Sequence, residues 1–335
     1  MNHQPLTFLQ PTTNNQRPTT NDQRLWPHNA PFALFLSHDI DQIHDRELFR
    51  ILADLNHVRR MWTQGEKGNT TLALRRVGRA LFVPKPPERD FETILEIEAR
   101  YGFRSTFFVL HDPYWSRQGP RYTLQSAALH RIIRMIQAAG CEVGLHGGYY
   151  RFNQPALYRE SRLALQEALG VDAVGIRNHL LRFSFPETWL AQEAAGFKYD
   201  ATFGYPDQLG PRDGRMFPFL SSTFSPTSSS KLTTNDQRPT TNHQPPSLLV
   251  LPLTVMDVTL FRSLGLTGPQ ALDAAWGAIN PVIQAGGLVS LLWHNNYFNE
   301  PEYRDWQWVY EQLLSRLAAL KPWCGTGKEI VGCWS

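Results

Sequence analysis

Short apolar runs alternate with helix-period segments along most of this chain, and several of the runs end directly in polar residues. The runs at 31–36, 103–110, 141–145, 173–176, 197–203, 248–253 and 287–293 read as strands, with a last strand expected near 329–334. Helical patterns fall at about 45–61, 88–101, 123–139, 155–169, 186–195, 268–285 and 301–320, and Gly140 is a good residue to end the third. Such regular alternation argues for a parallel sheet in an α/β fold. Seven or eight strands favour closure into a barrel over an open sheet.

In an α/β barrel every strand delivers its carboxyl end to one face, so polar residues there converge although they are far apart in sequence. The first strand delivers Ser37-His38-Asp39-Ile40-Asp41. Later ones deliver His146, then Arg177-Asn178-His179, then His294-Asn295-Asn296. Two carboxylates one residue apart can divide the work, one binding a metal and the other holding a proton. The bland alternative is that Asp39 and Asp41 cap a helix beginning near Asp45. Three histidines at other strand ends weigh against it.

With 335 residues, 42% of them hydrophobic, the chain can bury a large core, and its length suits one barrel or two small domains. A formal net charge of only +3, with no basic stripe among aromatics, gives no sign of nucleic-acid binding. Its three cysteines show neither CxxC spacing nor the density of a disulfide scaffold, which points to a reducing compartment. No leader pattern and no run of roughly 20 apolar residues is visible, so the expectation is a cytoplasmic protein without a membrane span.

Two segments break the globular pattern and resemble one another: residues 12–24 read TTNNQRPTTNDQR and residues 233–245 read TTNDQRPTTNHQP. Their seven-residue unit has no apolar position and carries Pro, which excludes a coiled coil. They read as disordered linkers. The expected organisation is a disordered segment over 1–30, then one barrel domain over 31–335, interrupted by a disordered insert at about 221–247.

Taken together, Ser-His-Asp-Ile-Asp, Arg-Ser-Thr-Phe-Phe-Val (104–109), Gly-Leu-His-Gly-Gly-Tyr (144–149), Gly-Ile-Arg-Asn-His (175–179) and Leu-Leu-Trp-His-Asn (291–295) resemble the polysaccharide deacetylase (NodB-homology) family. The likeness is to the branch whose first motif reads H-D-[IV]-D, and it spans roughly 32–110, 141–205 and 248–296. It implies an incomplete (β/α) barrel of about seven strands and a metal-dependent N-deacetylase, with zinc as the expected divalent metal and an N-acetylated carbohydrate as substrate. Asp39 matches the general base, Asp41 the metal-binding carboxylate, His146 the first His of an H-x-x-x-H metal motif, Arg177 the arginine that orients the base, and His294 the general acid. The second His of that motif falls at Tyr150, where the chain departs from the pattern. His179 is the candidate replacement ligand.

The chemistry explains these residue types, because amide hydrolysis needs an activated water, a stabilised oxyanion and a proton for a poor amine leaving group. Plainer roles stand beside them. Arg177 could pair with Glu142, His179 could be a core histidine, and His38 reads as a packing residue. Trp293, Tyr149 and Asp257 are candidate substrate contacts, although aromatics near a barrel mouth often only pack. Rival readings are a hydrolase of a small-molecule C–N amide and a catalytically silent barrel, the latter motivated by Tyr150.

Overall fold

The computed structural model describes residues 26–43, 86–113, 116–224 and 247–334. Expectations for 1–25, the helix at 45–61 and the insert over 225–246 lie outside the described residues.

Among the described residues ten strands form one curled sheet: β1 (Ala33–Ile40), β2 (Ser105–His111), β3 (Glu142–Gly147), β4 (Gly175–Asn178), β5 (Tyr199–Asp200), β6 (Phe219–Leu220), β7 (Leu249–Val250), β8 (Val255–Met256), β9 (Leu288–Leu292) and β10 (Trp323–Cys324). Their order is β6-β7-β5-β4-β3-β2-β1-β9-β8, with β10 also on β1, and every pairing is parallel except β6 with β7. β7 and β8 do not pair, so the barrel is incomplete there, as expected. Residues 251–254 cross that gap, with Leu253 N donating to Phe203 O and Thr254 N to Ser290 O.

Around the sheet lie seven α-helices among the described residues: α1 (Arg89–Ala99), α2 (Ala127–Ala138), α3 (Pro155–Leu169), α4 (Glu187–Ala194), α5 (Gly268–Ala285), α6 (Arg304–Ala319) and α7 (Gly327–Trp334). In α2 the buried Leu129, Ile132, Ile133 and Ile136 recur at helical spacing and form one apolar stripe against the sheet. Burying each such side chain contributes roughly 1.5–3 kcal/mol. No described helix is long and apolar enough to cross a membrane.

Strand alternation sorts β1 into two faces. Leu34, Leu36, His38 and Ile40 face the helix layer, while Phe35 joins the barrel interior with Phe108, Tyr199, Leu251 and Ile330, and Ser37 and Asp39 share its parity. The interior is tight: a Cβ on Gly175 would lie 1.9 Å from the Tyr199 ring, so only glycine fits there.

Three expectations change. The last strand, expected near 329–334, is the helix α7; its start carries a T-x-x-E capping box, with Glu329 Oε2 accepting from Thr326 N at 2.8 Å and Thr326 Oγ1 accepting from Glu329 N at 3.4 Å. The strands expected over 197–203 and 248–253 pair as strand over only two residues each, although Ala201 N still donates to Ile176 O beside β4 and Leu251 N and Leu253 N to Asp200 O and Phe203 O beside β5. The domain edges also move. Trp26, placed in the disordered segment, is 3% exposed, donates its indole N–H to Gly286 O at 2.8 Å, and stacks on Trp323. At the insert, Phe224 packs among Phe185, Trp189 and Phe203, and Ser247 bonds Glu193.

Trp26→Ala should therefore lower the unfolding free energy by about 3 kcal/mol. Denaturant titration measures this, and an unchanged midpoint would return Trp26 to the linker.

Candidate metal centre

Asp39 and Asp41 leave the end of β1, His146 the end of β3, Arg177 and His179 the end of β4, and His294 follows β9, so four strand ends meet at one mouth of the barrel. Register explains the proximity. Leu110 lies opposite His146, and His146 lies opposite Arg177.

The innermost contact is an ion pair. Arg177, 0% exposed, donates from Nη1 to Asp39 Oδ1 at 2.9 Å, from Nη2 to Ser37 Oγ at 2.9 Å and from Nε to Ala201 O at 3.0 Å. Glu142 is no partner for it: that carboxylate sits at the other end of β3, engaged by Thr106, Tyr199 and the Lys328 backbone N–H. Burial pushes the Asp39 carboxyl up, but His146, Arg177 and His294 outweigh it and hold it below its ordinary range.

Asp41, His146 and His179 each offer a ligating atom, all within 4.8 Å of one another. His146 Nδ1 lies 2.9 Å from Arg177 O; a carbonyl only accepts, so the ring proton is on Nδ1. Nε2 then faces Asp41 Oδ1 at 3.3 Å and Asp39 Oδ2 at 3.6 Å. In the neutral ring that atom is a lone pair aimed at carboxylate oxygens. A proton or a cation between them removes the conflict. Asp41 Oδ1 is buried without a hydrogen-bond partner, and His179 Nε2 lies 4.0 Å from it. Burial lowers the His179 pKa to about 4, so the imidazole is neutral and free to ligate at pH 7. The donor set of two imidazoles and one carboxylate suits a divalent cation such as zinc.

On the opposite wall His294 Nδ1 lies 2.8 Å from Asp257 Oδ1, and its backbone N–H donates to Asp257 Oδ2 at 2.7 Å. Its Nε2 faces Asp41 Oδ2 at 3.9 Å. Burial disfavours the imidazolium, but Asp257 and then Asp41 and Asp39 outweigh it and raise the pKa to about 9.

The expected substrate contacts fare differently. Trp293 is 0% exposed and tilts against Tyr310, because it shares the parity of Val289 and Leu291, which face the helix layer. It presents no face to a sugar. Asp257 is also 0% exposed and engages His294, so it positions that ring rather than touching substrate. Tyr149 stays partly exposed at the mouth beneath the Arg182 guanidinium, and Tyr150, 47% exposed, is not one of the three clustered ligands. Sequence reasoning missed Ser37, whose signal was its shared parity with Asp39.

No protein-family model matches the chain, and no curated protein matches it. Solved structures do. A protein from Mycobacterium smegmatis assigned as a polysaccharide deacetylase superposes with a TM-score of 0.54 at 19% identity, covering 98% of this chain and 94% of its own. The fold is that of the polysaccharide deacetylases. The PuuE allantoinase shares it, with a TM-score of 0.58 at 15% identity and 98% of both chains covered. At these identities the likeness establishes the fold alone.

Removing the second imidazole tests the ligand set. His179→Ala should weaken zinc binding by two orders of magnitude or so, whereas Tyr150→Phe should change it little, by isothermal titration. Unchanged affinity in His179→Ala would take that residue out of the metal centre.

Proposed function

We propose that this protein is a metal-dependent hydrolase that removes the N-acetyl group from an amino sugar of a polysaccharide or glycan precursor. The observation that carries the reading is the placement of a base and an acid on opposite sides of one metal-holding group: Asp39 clamped by Arg177, and His294 clamped by Asp257. A divalent ion on Asp41, His146 and His179 would polarise the acetyl carbonyl and lower the pKa of water at the site.

The remaining work falls to the side chains. Asp39, with Oδ1 held by Arg177, takes a proton from the attacking water, whose oxygen bonds to the acetyl carbon. Arg177 keeps that carboxylate ionised and fixed in place. As the tetrahedral carbon collapses, His294 gives a proton to the departing nitrogen, the C–N bond breaks, and acetate and a free amine remain. Asp257 fixes the ring through Nδ1, so the proton that moves is the one on Nε2.

The same groups suit a small-molecule amide, and the shared fold of an allantoinase keeps that reading open to a substrate screen. Metal-dependent release of acetate from N-acetylated saccharides supports the deacetylase; turnover only of cyclic or linear ureides or amides supports the other. The silent-barrel reading rested on Tyr150; the position of His179 beside Asp41 and His146 supports the enzyme instead, and a protein that binds no zinc on titration would favour the silent barrel.

Two measurements follow from the assigned roles. Asp39→Asn should retain zinc yet lose about 10²–10⁴-fold in turnover. Equal loss of metal in Asp39→Asn and Asp41→Ala would dissolve the division between base and ligand. For pH, the acid must be protonated, so kcat/KM should fall as pH rises through about 9. Asp257→Asn removes the strongest influence holding that proton and should move the basic limb to lower pH; an unmoved limb would assign it to another group.

A further inference from the structure

A cavity of about 620 Å³ opens between the end of β2, the start of α2 and the later turns of α3. None of Asp39, Asp41, His146, Arg177, His179 or His294 lines it. Its size falls within the range of small-molecule sites, about 300–1,000 Å³. Leu124, Ala164 and Ala168 give it an apolar wall of small side chains, and His111 and Asp112 form its polar end.

One polar atom of each has no hydrogen-bond partner among the described residues. Asp112 is 5% exposed; its Oδ2 accepts from the Tyr150 N–H at 3.1 Å, but its Oδ1 is buried without a hydrogen-bond partner among the described residues. His111 Nδ1 is likewise buried without a partner. Leaving such atoms unsatisfied costs roughly 1–3 kcal/mol each, so their retention on a cavity wall points to a ligand that supplies the bonds.

The chemistry of the wall narrows that ligand. An anion would meet Asp112 and, at the mouth, Glu167. A wholly apolar molecule would seal Asp112 Oδ1 away from water with no donor. A hydroxyl donates to the carboxylate and can both donate to and accept from a neutral imidazole, and burial keeps His111 neutral by lowering its pKa to about 4. The alanine-lined wall suits the C–H face of a ring.

We propose that this cavity is a second carbohydrate-binding pocket, which takes one pyranose ring beside, and independently of, the metal centre. Tyr122 joins the two places: it lines the cavity, and its hydroxyl donates to Ile40 O at 2.7 Å, the carbonyl between Asp39 and Asp41.

The assignment uses no metal ligand, so it is tested on the metal-free full chain in a chelator. Saturation-transfer NMR with N-acetylglucosamine, glucose and the open-chain polyol sorbitol should show saturable binding of a pyranose. Asp112→Asn, which still accepts from Tyr150 N–H but removes the second acceptor, should weaken it about tenfold. Ala168→Phe should fill the space and abolish it, with zinc affinity and melting temperature unchanged. No saturable pyranose binding, equal binding of sorbitol, or undiminished binding in Ala168→Phe would overturn the proposal, whatever the zinc-loaded protein does.

Discussion

The buried guanidinium of Arg177 is the constraint on which the mouth of the barrel depends. A cation taken out of water is tolerated only when its donors are met, and here one fork reaches a carboxylate, a hydroxyl and a carbonyl on β1 and just past β5. Its ring-stacking partner, Phe108, lies 4.5 Å below on β2. Four strand ends are thereby held to one point, and Asp39 is held as an anion because the opposite charge beside it cannot be neutralised. Geometry and protonation state of Asp39 come from the same contact.

A second network does the corresponding work from the helix side. His38 Nδ1 donates to Trp293 O at 2.7 Å, and its Nε2 meets Glu98 Oε1 at 2.8 Å. Tyr310 and Ser105 donate to the same carboxylate at 2.6 and 2.7 Å. His38 precedes Asp39, and Trp293 precedes His294. One imidazole thus fixes β1 against the end of β9, and with it the spacing between Asp39 and His294 across the mouth.

Much of this was legible in the sequence because strand periodicity is strict. Apolar runs ending in polar residues located β1, β3, β4 and β9, and the convergence of their ends follows from parallel order. The same rule, applied one step further, would have turned Trp293 outward, since it alternates with Leu292 and His294. Asp257 was harder. It follows a strand of two residues, too short for a period to show, and its partner is 37 positions away. The terminal helix was hidden by apolar Ile330 and Val331, which read as strand until the Thr326–Glu329 box is weighed. Pairings of Glu142 and Arg177 depend on which end of a strand each occupies, which composition does not encode.

The position of His179, the proposed third donor, carries a backbone cost that the surroundings meet. Leu180 and Leu181 follow the histidine with φ of 59° and 51°, a left-handed pair without glycine, at about 1–3 kcal/mol each. Asn178 braces the turn from one side: its amide donates to Arg182 O at 3.1 Å, while its Oδ1 accepts from the Tyr158 hydroxyl at 2.8 Å and its backbone N–H donates to Thr202 Oγ1 at 3.0 Å. Leu181 braces it from the other, buried with Leu253, Met256 and Leu292. With the residues on either side pinned, the reversed turn between them is over-determined, and His179 is left aimed at Asp41 rather than into the core. The strained turn thus holds the His179 imidazole within 4.0 Å of Asp41.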